Sequence, residues 1–307
     1  MLKRKVIIDT DPGYDDACAL ACASQIDQFD ILGITTVAGN QTIENVTKNA
    51  LNLANYLNLK CPVVKGMSEP IVKKYKVAEV HGLHGLDNVE LPENNNKIYG
   101  KNAIQFIIES CINNDKITII TIGPLTNIAM AIKLEPKIKE HIELISIMGG
   151  SIGEGNVTPA AEFNIYDDPE AAQIIFSSGI KIRMYGLDVT TSTYLFENII
   201  ERFEKLNTKS SKLFVQCTKN LNINMNKFIR KPYGSMHDCV PIIAFLDENL
   251  IKYKKALVEI DLSHGLSYGR TNCDLYSENV EKSNIEVAVS INVDKFWDLV
   301  EELYKKY

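Results

Sequence analysis

The sequence predicts an α/β fold: a single domain over residues 1–307, with a mainly parallel sheet, a Rossmann-like core and flanking helices. Three observations predict it. Short apolar runs alternate with helix-patterned segments from the first residues onward, the pattern of βαβ units. No linker rich in Pro, Gly or Ser divides the chain, and no repeat or low-complexity tract interrupts it. An acidic cluster follows the first apolar run, and parallel sheets bind ligands at the carboxyl ends of their strands.

The elements follow in order. Val6-Ile7-Ile8 places a first strand at Lys5–Asp9, and the Ala/Cys/Leu run after it places a helix near Asp15–Ser24. Cys18 and Cys22, four apart on that helix, read as core residues. Strands at Ile31–Val37, Ile117–Ile122, Leu144–Met148 and Ile180–Tyr185 alternate with helices near Thr42–Leu57, Asn102–Asn113, Thr126–Lys133 and Asp168–Ser177. In the last of these Asp168 reads as the cap and Pro169 as the first helical residue, with no chemistry assigned. Residues 194–230 read as long amphipathic helix with Asn-rich breaks. Residues 256–293 carry strand-like runs at Ala256–Ile260 and Glu286–Ile291, and a final helix, Asp294–Lys305, puts Trp297 in the core. Lys73–Asn96 and Asn222–Met236 read as mobile loops.

Composition narrows the function. A chain that is 45% hydrophobic and 23% charged has ample core. A net charge of -6 argues against a general nucleic-acid binder and for a small-molecule partner. Seven scattered cysteines without a Cys-x-x-Cys pair, and no N-terminal apolar signal, favour a reducing cytoplasm. Charges interrupt every long apolar stretch, so no membrane span is expected.

Chemistry concentrates in Asp9-Thr10-Asp11-Pro12-Gly13-Tyr14-Asp15-Asp16, between the first strand and the first helix. Two like charges about 4 Å apart repel by roughly 4 kcal/mol at an effective dielectric of 20. Four acids around a Pro-Gly turn exceed what helix capping needs, and they point to a hard, oxygen-preferring cation. Ile122-Gly123-Pro124-Leu125-Thr126-Asn127 ends a strand and offers backbone carbonyls to such an ion, or is a simple strand-to-helix turn. Met148-Gly149-Gly150 is no G-x-G-x-x-G fingerprint, so a dinucleotide site is not expected. Asn156, Glu162 and Asn164 beyond it suit sugar hydroxyls. In Met236-His237-Asp238, Asp238 is a helix cap or a further ligand, and His237 a surface residue or a titratable group in the site. His81 and His84 lack the second half of a zinc motif.

Together these residues resemble the calcium-dependent nucleoside hydrolases, the inosine–uridine-preferring family. The first cluster reproduces the family's D-x-D-P-G-x-D-D signature. Gly39-Asn40, Gly123-Pro124-Leu125-Thr126-Asn127, Met148-Gly149-Gly150, Ala161-Glu162-Phe163-Asn164 and His237-Asp238 follow in the family's order. The resemblance implies that Asp11, Asp16, Asp238 and the Ile122 carbonyl bind Ca²⁺. It implies that Asp15, Asn40, Asn156, Glu162 and Asn164 hold the ribose hydroxyls, with Met148 against the sugar. Asp11 would take a proton from the calcium-bound water, and His237 would protonate or stabilise the departing base. His81 would sit in a loop closing over the substrate. Relatives draw base-pocket residues from the loop before His237, where Tyr233 is the first candidate beside Arg230 and Phe228, and Asp9 reads as a support for the other acids. The implied reaction splits the N-glycosidic bond of a purine, pyrimidine or modified nucleoside into base and ribose, in a homodimer or homotetramer. Two alternatives stand beside it. A Mg²⁺-dependent phosphatase of the haloacid dehalogenase type also opens with Asp-x-Asp, but the turn and the Asp15-Asp16 pair fit it badly. A non-catalytic nucleoside-binding protein on the same fold is the other, and the retention of Asp11, Asp16, Asn164 and Asp238 argues against it.

Overall fold

The structure, a computed structural model, describes residues 3–74, 77–92 and 97–306. Strand β1 (Arg4–Thr10) leads into helix α1 (Tyr14–Ser24), and β2 (Phe29–Thr36) into α2 (Ile43–Tyr56) and the short β3 (Val63–Lys65). Next come α3 (Ala103–Ile112), β4 (Ile117–Thr121), α4 (Thr126–Leu134), β5 (Ile142–Met148), α5 (Phe163–Asp167), α6 (Pro169–Phe176) and β6 (Ile182–Tyr185). The remainder comprises α7 (Leu187–Thr190), α8 (Glu197–Glu204), α9 (Lys209–Asn224), α10 (Cys239–Ile243), β7 (Ile251–Lys255), β8 (Leu257–Ile260), β9 (Thr271–Asp274), β10 (Ile285–Ile291) and α11 (Val293–Tyr304).

Eight strands pair in the order β3-β2-β1-β4-β5-β6-β10-β7, while β8 and β9 form a separate antiparallel pair. Every pairing in the large sheet is parallel except β10 with β7. The strand order reverses between β1 and β4. Such a switch point leaves a crevice beyond the carboxyl ends of the two strands. The acidic cluster follows β1 and Ile122 follows β4, so both open into that crevice.

The central strands read as unbroken apolar runs because both faces are covered. Val6, Ile8 and Ile120 face one core, and Ile7, Ile119 and Ile147 the other, as alternation along a strand requires. Helix α1 is buried from Tyr14 to Ala23, packed beneath α9, α10 and α11. Its Ala and Cys side chains permit that close approach, and Cys22 Sγ lies 4.0 Å from Cys239 Sγ. Tyr304 Oη donates to the Cys18 carbonyl at 3.1 Å, tying the last helix to the first. Trp297 is buried against Phe203, Phe214 and Phe296.

Several boundaries differ from the sequence expectation. Residues 194–230 form two helices, α8 and α9, parted by Asn207 in a left-handed conformation and restarted by a Thr208–Ser211 capping box. Helix α9 runs into the stretch expected as loop and ends in a π-turn, Met225–Ile229, closed by left-handed Arg230. The other expected loop contains a 3-10 turn, Glu79–His81, and its residues 75–76 and 93–96 lie outside the described residues. Strands β3, β7 and β9 had no counterpart in the sequence reading. No helix among the described residues is long and apolar enough to cross a membrane.

Candidate active site

The turn after β1 folds four acids inward rather than into solvent. Asp9, Asp11 and Asp16 are fully buried and Asp15 nearly so. Asp16 sits in the first turn of α1, where it accepts from Thr10 Oγ1 at 2.6 Å and from the backbone N–H groups of Asp11 at 3.3 Å and Gly13 at 2.9 Å. Asn40 braces the pair. Its N–H donates to Asp11 Oδ2 at 2.6 Å, and its Nδ2 donates to Asp16 Oδ2 at 3.1 Å and to the Asp11 carbonyl at 3.2 Å. Two glycines make room for Asp11. A Cβ at Gly39 would run into Asp11 Oδ2, and one at Gly123 would lie 2.6 Å from Oδ1.

Asp9 turns away from the others. Its Oδ1 accepts from Thr35 Oγ1 and from Asn127 Nδ2, the latter at 2.8 Å. Asn127 also donates to the Thr36 carbonyl and accepts from the Met67 N–H. The Gly123–Asn127 block thus serves Asp9 through a side chain, beyond any carbonyl it offers.

Asp238 comes from the far end of the chain. It occupies the N-cap position of α10, yet its side chain caps no helix N–H. Its carboxylate points into the crevice, where Asp15, Asp16 and Asp238 each present an oxygen within 4.8 Å of the others. Asp11 Oδ1 and Asp15 Oδ1 are buried without a hydrogen-bond partner. Burial raises all five carboxyl pKa values. Asp9 and Asp15 are pushed up to about 7, with Asp16 adding to the shift at Asp15. Asp11 is held well above the usual range by burial and Asp16, and Asp238 by burial and the charges of Asp15 and Asp16. Hydrogen bonds temper the rise at Asp16. Oxygens left unpaired in so dense a carboxylate cluster fit a divalent cation, whose charge restores the ionised forms. The acids expected on the ion, Asp11, Asp16 and Asp238, and the one expected on the sugar, Asp15, thus meet at one place: Asp15, Asp16 and Asp238 through oxygens within 4.8 Å of one another, and Asp11 through its contacts with Asn40 and its unpartnered Oδ1.

Above the cluster opens a cavity of about 420 Å³, lined by Asp15, Asn40, His81, Ile122, Met148 and His237 among others. Glu162 and Asn164 form one wall. Glu162 caps α5, accepting from the N–H groups of Asn164 at 3.0 Å and Ile165 at 3.2 Å, and from that of Gly150 at 2.9 Å. Gly150 reaches it with a positive φ of 73°, which favours glycine. Burial pushes the Glu162 carboxyl up to about 7. Asn164 Nδ2 donates to the carbonyls of Ile122 at 3.2 Å and Met148 at 3.1 Å. Asn156, on the exposed rim, accepts from the Phe163 N–H at 2.9 Å.

Two histidines overlook the same space. Tyr14 N–H donates to His81 Nδ1 at 3.2 Å, and His81 Nε2 lies 4.0 Å from Asp15 Oδ1. His237 Nδ1 hydrogen-bonds Thr190 Oγ1 at 2.8 Å. Burial holds both imidazoles down to about 4, with His237 adding to the effect on His81 and Lys231 to that on His237. His84 is exposed and pairs with Asp87 instead. Tyr233 lines the cavity and packs edge-on against Phe196, with ring centroids 5.1 Å apart; Phe228 and Ile229 join that end. Sequence reasoning gave no role to Thr10, the open position of the acidic signature, or to Thr35 and Thr190, which carry no motif and act only through folding. It also left Asp167 unassigned beside the cap residue Asp168.

Comparison with known proteins gives the class first. A plant nucleoside hydrolase superposes with a TM-score of 0.91 at 29% identity, covering 99% of both chains. A purine-preferring ribonucleoside hydrolase from Gardnerella vaginalis matches with a TM-score of 0.91 at 32% identity, covering 99% of this chain and all of that one. The fold is that of N-glycosyl hydrolases acting on nucleosides. The sequence then gives the family. Residues 6–298 match the model of the inosine-uridine preferring nucleoside hydrolases. The pyrimidine-specific ribonucleoside hydrolase RihB of Shigella flexneri is 38% identical over 309 residues, covering all of this chain and 99% of its own length. The chain belongs to the inosine–uridine preferring nucleoside hydrolase family, which sets the phosphatase alternative aside.

Proposed function

We propose that this single-domain chain hydrolyses the N-ribosidic bond of pyrimidine ribonucleosides with a Ca²⁺ ion held by Asp11, Asp16, Asp238 and the Ile122 carbonyl. Asp15 lies close enough to share that ion. One observation carries the reading: buried carboxylates from the two ends of the chain converge, with oxygens unpartnered, on the floor of a cavity walled by sugar-compatible groups. All-oxygen donors suit calcium. The choice of base rests on the 38% identity to a pyrimidine-specific relative. A bound ion supplies Lewis acidity, orienting a vicinal diol and acidifying water.

The chain's own groups do the rest. Asp11, its Oδ1 free of protein donors, accepts the proton of the attacking water, a role typically worth about 10²–10⁴-fold. Asp15, Asn40, Asn156, Glu162 and Asn164 orient the ribose hydroxyls, and Met148 lies under the ring. Their negative and dipolar groups stabilise the oxocarbenium-like charge that develops as the bond breaks. His237 hydrogen-bonds the departing base, His81 seals the site above Asp15, and Tyr233 flanks the base. Seven free cysteines support a reducing, cytoplasmic setting, and the family resemblance supports a homodimer or homotetramer.

Reducing-sugar assays on a panel of purine, pyrimidine and modified ribonucleosides test this, with and without chelator. The expected outcome is ribose release that chelation stops and calcium restores, and that Asp11→Asn abolishes in a protein of unchanged circular dichroism. Near-normal turnover in that variant would overturn the assignments of Asp11, and binding without release across the panel would favour a non-catalytic binder.

A further inference from the structure

Lys231 is a cation that the reaction above leaves unused. Two of the described lysines line the cavity, and they differ in their company. Lys73 is occupied: its Nζ donates to the Tyr166 carbonyl at 2.6 Å and lies 3.5 Å from the centre of the Tyr166 ring. Lys231 lines the cavity with His237 and Tyr233, and its ammonium has no carboxylate, carbonyl or ring partner among the described residues. Nearby Lys227, by contrast, lies over the Phe228 ring, 4.7 Å from its centre. The charge of Lys231 is felt at the buried His237 imidazole.

The side chain is exposed on the lip of the cavity, but the backbone beneath it is fixed. Arg230 closes the π-turn with a φ of 59°, a left-handed conformation that costs a non-glycine residue energy. The Lys231 N–H donates to the Met225 carbonyl at 3.3 Å, and Pro232 restricts the next φ. A strained turn thus sets this cation at the His237 end of the site.

The proposed hydrolysis, on which this inference rests, separates charge. As the N-ribosidic bond breaks, its electron pair leaves with N1 of the pyrimidine and the sugar becomes positive. Water adds to C1′ and gives a proton to Asp11. A uracil-type base departs as an anion, its charge spread onto the carbonyl oxygens, and takes a proton from solvent afterwards. The acids on the cavity floor attract the sugar's charge and repel the base's. A cation at the base end completes the match to the transition state.

We propose that Lys231 is a further catalytic residue, whose ammonium donates a hydrogen bond to the departing pyrimidine and stabilises the negative charge left on it. The test compares calcium-loaded wild type, Lys231→Met and Lys231→Arg on uridine and 5-fluorouridine. Fluorine withdraws electrons, so the second base departs more readily as an anion. A hydrogen bond to a charged group predicts that methionine lowers kcat/KM on uridine by about 10- to 100-fold, through kcat. The loss on 5-fluorouridine is smaller, and arginine, which keeps the charge, retains most of the activity on both.

The proposal is overturned if methionine keeps the wild-type rate on uridine, if it slows both substrates equally, or if arginine falls as far as methionine, the mark of a role in shape alone. Any of these with wild type releasing ribose sinks this inference alone. No release from uridine by wild type sinks the pyrimidine reading as well.

Discussion

In the proposed reaction His237 works as a neutral imidazole. Its Nδ1 is occupied by Thr190 Oγ1, and burial beside Lys231 keeps its pKa near 4, so at neutral pH the ring offers the base a hydrogen bond and no positive charge. A leaving group that departs readily gains little from such a bond, whereas a natural nucleobase gains much. His237→Ala is therefore expected to slow natural ribonucleosides by about 10²–10⁴-fold and to spare a nitrophenyl riboside. Parallel kinetics on the two substrates check this, and equal losses would count against it. The sequence shows His237 and Asp238 as neighbours. It hides Thr190, 47 residues upstream, because a threonine at the end of a four-residue helix carries no pattern of its own. Asp238 was open to two readings as a sequence position, and its uncapped geometry removes the reading as a helix cap.

At the level of elements, the site depends on loops that approach one another without side chains. The β2–α2 loop passes over Asp11 through Gly39, where an added Cβ would meet both Asp11 Oδ2 and, at 2.7 Å, Pro124 Cδ. Gly39→Ala is expected to shift Asp11 and lower kcat/KM by about 10²-fold, the usual scale for a displacement near 1 Å. Gly100→Ala, built into open space, is the matched control and is expected to leave kinetics unchanged. A Gly39→Ala enzyme with normal kcat/KM would refute the close approach. The same scale explains which elements were legible. Strands β1, β4 and β5 announce themselves because covered faces demand continuous apolar residues. Strand β7, with Lys252, Lys254 and Lys255 at the sheet's edge, gives no such signal, since exposed edges favour charge over apolar side chains. Strand β9 is four residues long and polar, below what periodicity can detect.

For the molecule as a whole, the buried acids link stability to pH. Asp9, Asp15, Glu162 and Asp167 have folded-state pKa values of about 7, above the roughly 4 of an unfolded carboxyl. Between those values the folded state holds more protons, so the cation-free protein loses stability as pH rises through that window. On the proposed reading calcium binds the ionised acids and opposes the loss. Thermal melts with chelator and with calcium are expected to diverge as pH climbs from 5 to 8; a constant gap would refute the linkage. The distance between Asp16 and Asp238 along the chain has another consequence, in the time domain of synthesis. At roughly 5–20 residues per second, the amino-terminal acids wait on the order of ten to forty seconds before Asp238 is made. During that interval the nascent chain carries the amino-terminal acids without Asp238. On the proposed reading the divalent cation finds its full set of ligands only in a chain translated past α10, and so acts as a seal on completed synthesis rather than as a seed for folding.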